Sequence, residues 1–227
     1  MRFRSSPKAS RAAEVLNKLL RDLGLETALA LILRDPSSFA NVFAMSGDVE
    51  SSPLAARMTT ELLKDQRLQA LYAAQWVPAS VSLPELLAMP PASLGYQYGS
   101  LLRQLGMTPE RVQKLQSPCS DSAYVLRRQK ETHEIVHVLT GFGVDPLGEL
   151  SLQAFNLVQN RSPLAVWILL SAAIAVLQRG DALEPLIRAV IAGFQLGLEA
   201  DLLIGHRLED HWHADLEALR LRLRLSA

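Results

Sequence analysis

Residues 133–149 read His-Glu-Ile-Val-His-Val-Leu-Thr-Gly-Phe-Gly-Val-Asp-Pro-Leu-Gly-Glu, and this stretch sets the architecture and chemistry to expect of the chain. At ~100° per residue His137 lies ~40° round a helix from His133, and Glu134 lies ~60° beyond His137, so all three share one arc. Gly141 and Gly143 stop that helix, and Asp145-Pro146 opens the next. Glu149, at the start of the second helix, returns towards the pair. Two imidazoles and two carboxylates facing one point suit a borderline divalent cation. The stretch therefore predicts a metal site between two adjacent helices, with His133, Glu134, His137 and Glu149 as ligands. Zinc is the first candidate, ahead of iron, manganese, cobalt and magnesium. Glu134 doubles as the candidate catalytic proton acceptor.

Outward from this hairpin, helical signals dominate and strand signals are nearly absent. Val15, Leu16, Leu19, Leu20 and Leu23, closed by Gly24, predict a helix over 10–23, and Asp35-Pro36 opens another to Ser46-Gly47. Further helices are expected from Pro53, over 68–74, 93–105, 108–115 and 120–140, then over 147–159, 163–178 and 182–204. Prolines at 78, 84, 90 and 91 mark residues 76–91 as a rigid connector. The sum is an all-α domain of about ten helices around an apolar core, spanning 13–227 behind a flexible lead-in at 1–12. The apolar run Pro163–Leu177 is shorter than the ~20 residues of a membrane span and reads as a buried helix or a pocket wall. From Leu219 to Leu225 Leu and Arg alternate, which gives a helix no consistent apolar face. That end is expected to pack on a partner subunit, to touch anionic lipid through Arg220, Arg222 and Arg224, or to fray.

Composition narrows the partners. Of 227 residues 49% are hydrophobic, enough for a sizeable core, and the formal net charge is zero. No basic stripe interleaves with aromatics, which argues against nucleic acid. The one cysteine, Cys119, rules out an internal disulfide and fits a reducing compartment. Arg2, Arg4, Lys8 and Arg11 precede the first acid, Glu14. That basic start has a faint look of an organellar transit sequence but reads first as a solvated lead-in.

Two other readings compete for the His pair. A zinc protease of the metzincin kind needs Gly and His where this chain has Thr140 and Gly143, and no edge strand to hold a peptide is legible. The plainer reading, helix histidines beside surface acids, would lead were Glu149 absent.

The string Tyr124–His137 followed by Leu147-Gly148-Glu149 resembles the signature of the fourth member of the ubiquinone-biosynthesis Coq family: His-Asp-x-x-His, eleven residues, then Glu. Ser93–Tyr98 is similar to its SLG-x-x-Y helix. Ala40–Phe43 resembles its early segment, and Arg207–Trp212 with Leu216 its C-terminal box. Glu134 stands where the family has Asp, and Ala214-Asp215 where the box has Pro.

The resemblance implies an all-α homodimer of coenzyme Q biosynthesis. It would lie peripherally on the cytoplasmic face of the inner membrane in a bacterium, or on the matrix side of the mitochondrial inner membrane in a eukaryote. Two roles follow: an oxidative decarboxylase of a polyprenylated hydroxybenzoate, or a lipid-binding scaffold for other quinone-biosynthesis enzymes. Zinc carries no electrons, so a redox step asks for iron, manganese or cobalt. Arg128 and Lys130 match basic positions of the family motif and are expected to meet a substrate carboxylate or prenyl phosphate, or else to pair with Glu131 and Glu134. Leu164–Leu177 and Leu186–Ile204, with Trp167 and Phe194, are expected to wall an isoprenoid groove. Gly193 and Gly197 would admit a helix or a prenyl chain.

Overall fold

A computed structural model describes residues 53–110 and 120–225. The lead-in, the helices expected at 10–23 and 36–46, the Ala40–Phe43 segment, residues 111–115 and Cys119 lie outside them. The described residues form nine α-helices and no strand: α1 Pro53–Leu62, α2 Gln66–Ala73, α3 Leu83–Leu87, α4 Leu94–Gln104, α5 Asp121–Thr140, α6 Pro146–Gln159, α7 Pro163–Arg179, α8 Glu184–Glu199 and α9 Leu216–Arg222. Single-turn 3₁₀ helices at Leu203–Gly205 and Leu208–His211 link the last two.

The ends of these helices follow from local chemistry. Ser120 Oγ accepts the Ala123 N–H at 3.2 Å to open α5, and Gly141, at φ 75°, closes it in the left-handed conformation. Asp145 accepts the N–H groups of Leu147 and Gly148, with Pro146 in the first turn where no donor is needed. The same logic corrects the expected 76–91 connector. Ser82 and Glu85 form a capping box and Pro84 sits in the first turn, so α3 forms inside that stretch. Its Leu86 is fully buried.

Helix α5 is the axis, packed by α1, α2, α4, α6 and α9. Ile135, Val136 and Leu139 meet Leu94 and Leu102 of α4, Phe155 of α6 and Leu219 of α9 in the main core. The C-terminus departs from expectation. Leu216, Leu219 and Leu223, spaced by three and four, are buried on one face of α9, while Leu221 is 65% exposed. Arg224 adopts φ 59° and returns Leu225 to the core. Arg220 donates to the carbonyls of Val138 at 2.7 Å and Leu139 at 2.9 Å, capping the end of α5. Gly193 and Gly197 serve helix packing: a methyl at Gly193 would overlap the Ser151 carbonyl of α6, and one at Gly197 would stand 3.2 Å from that of Phe155. No described helix is long and apolar enough to cross a membrane.

Arg67 ties α2 to the segment after α8, with Nη1 2.9 Å from Asp201 Oδ2 and 2.5 Å from His206 Nε2. Burial, then the Arg67 cation, holds the His206 pKa below its usual 6.5. A depressed histidine contributes stability that is present above about pH 6.5, its unfolded value, and is lost as pH falls through the folded value. The urea midpoint is therefore expected to drop more between pH 7.5 and 5 in the wild type than in His206→Gln.

Candidate metal centre

The last turns of α5 carry His133 and His137, and the first turn of α6 carries Glu149. The imidazole centroids lie 4.9 Å apart at 88°. Glu149 Oε2 is 3.9 Å from His133 Nε2, and its Oε1 is 3.1 Å from His137 Nε2. The ligating atoms of the three residues all fall within 4.8 Å of one another. Bonds of 2.0–2.2 Å in a tetrahedron set donors about 3.3–3.5 Å apart, so two of these separations bracket the need.

Protonation sharpens the case. His137 Nδ1 lies 3.0 Å from the Phe142 carbonyl, which can only accept, so Nδ1 carries the proton and Nε2 presents a lone pair. That Nε2 is buried and stands 3.1 Å from a Glu149 carboxylate oxygen. In the neutral ring two lone pairs face each other 3.1 Å apart, a gap that a second ring proton fills in the apo-protein and that a metal cation would fill in its place. Burial alone would lower His137, but Glu149 and the Phe142 carbonyl outweigh it and hold the ring above its usual pKa. Burial, helped by neighbouring His137, pushes His133 down despite the carboxylates, leaving it neutral and ready to ligate. Two nitrogens and one carboxylate with a position left over fit a zinc-type ion, and fit less well the all-oxygen shell that magnesium prefers.

Of the four expected ligands, three converge. Glu134 stands outside that cluster. It lines the adjoining cavity, with Oε2 buried and without a hydrogen-bond partner among the described residues. Tyr98 of α4, stacked on Trp212 at 5.0 Å, is held above its usual pKa by burial and by the charges of Glu134 and Glu209.

The cavity has a volume of about 330 Å³ between α1, α5, α6 and the start of α7, with His133 and Glu134 in its wall. Lys130 lines it too, as expected of a residue one turn before His133. Arg128 does not. It is fully buried, with Nη1 2.6 Å from Glu209 Oε1, Nη2 3.2 Å from the His206 carbonyl, and its guanidinium over Trp76 at 4.9 Å. It therefore holds α5 to the C-terminal segment and, 3.5 Å from Glu131, makes the ion pair expected as its other role; of the two cations Lys130 is the one in the cavity wall. The helices expected to wall an isoprenoid groove lie largely outside this cavity. Only Leu164 of the expected wall lines the cavity. Trp167 is packed instead against Leu150, Ile168 and Leu186, and Phe194 is not among the lining residues. Sequence reasoning passed over Gln129, Gln153 and Asn156, which do line it. Their signal was spacing: Gln129 precedes His133 by four, and Gln153 follows Glu149 by four.

Known proteins resemble this chain in sequence and in shape. A protein from Nostoc punctiforme PCC 73102 has a solved structure that superposes with a TM-score of 0.77 at 25% identity, covering 91% of this chain and 99% of that one. The mitochondrial ubiquinone biosynthesis protein COQ4 homolog of Rattus norvegicus is 28% identical over 150 residues, 65% of this chain and 56% of the rat protein. The mitochondrial ubiquinone biosynthesis protein COQ4 of Arthroderma otae is 35% identical over 104 residues, 44% of this chain and 37% of the fungal one. The matches thus span between about a third and just over half of these relatives. The family described as "Coenzyme Q (ubiquinone) biosynthesis protein Coq4" matches residues 17–227, nearly the whole sequence, and to that family this chain belongs.

Proposed function

We propose that this protein holds a prenylated aromatic acid of the ubiquinone pathway beside a divalent ion and removes the ring carboxyl group there. The observation that carries the reading is the convergence of His133, His137 and Glu149, whose ligating atoms lie within 4.8 Å of one another, beside the cavity that His133, Glu134 and Lys130 line. Bound by His133, His137 and Glu149, the ion would supply Lewis acidity; if it is iron, manganese or cobalt it would also pass electrons from a reductant to dioxygen, the oxidant that would put one oxygen on the vacated carbon and release the other as water. Lys130 attracts the substrate's negative charge to this end of the cavity. Glu134, whose Oε2 is buried and unpartnered, takes or returns the proton that the ring exchanges. Met58, Leu62, Val125 and Leu126 give the ring apolar walls.

A scaffold role, with a structural ion, is the second reading. Exposed apolar residues favour it: Val166, Leu170 and Leu177 on α7, and Ile187, Ile191 and Leu198 on α8. These stripes suit a second copy, another quinone-biosynthesis enzyme or a lipid surface. In a mitochondrion, where the relatives' names put them, such a surface would face the matrix side of the inner membrane, and in a bacterium the counterpart would be the cytoplasmic face.

Metal analysis of the purified protein, followed by incubation with farnesylated 4-hydroxybenzoate, tests the choice. Release of carbon dioxide that stops on chelation and in Glu134→Gln is the expected result. Recovery of the bound acid unchanged with zinc, iron and manganese each restored would leave the scaffold.

A further inference from the structure

Gln153 and Gln159 are the same residue type on the same buried helix, yet the fold uses only one of them. Gln159 Nε2 donates to the carbonyls of Gly197 at 2.8 Å and Ala200 at 3.2 Å, and its Oε1 accepts the Leu203 N–H at 3.1 Å. It is a structural staple. Gln153 is as deeply buried, 7% exposed, and its carboxamide has no hydrogen bond among the described residues. It lines the cavity. The amide takes no part in the hydrogen bonding of the fold and borders the cavity, so it is open to pair with whatever enters there. The side chain is one helical turn beyond Glu149, and residues at i and i+4 share a face.

A second amide stands beside it. Asn160 Nδ2 donates to Asn156 Oδ1 at 3.0 Å, which leaves Asn156, in the cavity wall, with its amide nitrogen as a donor. The cavity is thus divided chemically. One end carries the candidate ligand His133 with Glu134 and Lys130, suited to an anion. The α6 wall carries uncharged amides, which pair with a neutral oxygen as donor and acceptor.

We propose that Gln153, supported by Asn156, is a specificity-determining residue that recognises a neutral ring oxygen, a phenolic hydroxyl above all, of the aromatic acid whose carboxylate faces the metal centre. The inference rests on the function proposed above and adds which substituent the site reads. An amide with no protein partner discriminates strongly, because a ligand lacking the oxygen leaves it unpaired while a ligand bearing it completes it.

The test is calorimetric binding of two probes to the metal-loaded protein: farnesylated 4-hydroxybenzoate and the farnesylated benzoate without the ring hydroxyl. Wild type is expected to prefer the hydroxylated probe about tenfold or more. Gln153→Met, close in volume and without donor or acceptor, brings the ratio to within about twofold and does not lower the urea midpoint. Gln153→Asn keeps the amide but withdraws it by one methylene, and it too loses the preference. Binding of both probes with an unchanged ratio in either variant, equal binding by wild type, or a lowered midpoint in Gln153→Met would overturn the assignment of Gln153 while leaving the cavity's function standing. Binding of neither probe by wild type would remove both.

Discussion

Glu149→Gln is expected to lower zinc affinity by about two orders of magnitude or more while the apo-protein stays folded. Competition against a chromophoric chelator measures it. The side chain is 35% exposed at the first turn of α6, and its neighbours Asp145 and Pro146 cap that helix without it, so the fold asks little of its charge. The site asks much, because Glu149 alone supplies an oxygen to the cluster. His137→Ala should abolish measurable binding, since it removes the nitrogen whose tautomer the Phe142 carbonyl fixes. Glu134→Gln should change metal affinity by less than about tenfold, as befits a group beside the centre and not on it. The sign of the pH dependence follows from His137. Its folded pKa is raised, so in the apo-protein its contribution to stability is complete below about pH 6.5 and is lost as pH rises through the folded value. The proton that leaves vacates the lone pair the metal takes. Metal affinity therefore falls as pH drops through that raised value. In Glu149→Gln the main group raising His137 is gone, and the midpoint of the pH dependence moves to lower pH.

What the sequence disclosed about this centre, and what it hid, divides by distance along the chain. The α5–α6 hairpin was legible because every part of it is local: the Ser120 cap, the left-handed Gly141, the Asp145-Pro146 start and the four-residue step between imidazoles. Glu134 was placed on the right arc, but periodicity gives the direction of Cα–Cβ and not the rotamer that carries its oxygens into the cavity. Of the two roles read for Arg128 the structure shows the ion pair, with Glu131 at 3.5 Å as expected; its principal partner, Glu209, lies 81 residues away, and helical position cannot distinguish a buried ion pair from a ligand contact. The Leu-Arg alternation misled for another reason. Read from Leu219 it has period two; begun at Leu216, the buried leucines fall at three and four, and a left-handed Arg224 accounts for the last. The cavity amides were the subtlest loss, because each looks like an ordinary polar helix residue until the absence of a partner sets one apart.

Arg128→Met is expected to destabilise the protein by about 3–5 kcal/mol, the largest effect on folding among these substitutions. No part of Arg128 reaches solvent. Its two terminal nitrogens stand 2.6 and 3.3 Å from the two oxygens of Glu209, Nη1 is 3.5 Å from Glu131, and the plane covers Trp76. Methionine fills much of the volume, so the cost is electrical: Glu209 is left as a buried carboxylate without its principal cation, and Glu131 keeps only Arg127, at 3.5 Å. Lysine should fare little better, because one ammonium reproduces neither the two-pronged contact nor the stacking. Adding Glu209→Leu to Arg128→Met should recover more than half of the loss, since a removed pair costs far less than a broken one. The dependence on pH identifies the cause. Burial already raises Glu131 above its usual pKa, and Arg128 is the first of the charges opposing that rise. Without Arg128, Glu131 titrates higher still, and acid discharges it. The deficit of Arg128→Met, read from urea midpoints, should therefore shrink between pH 8 and pH 5. A deficit of equal size at both would mean that lost packing over Trp76, not a stranded charge, is what Arg128 protects against.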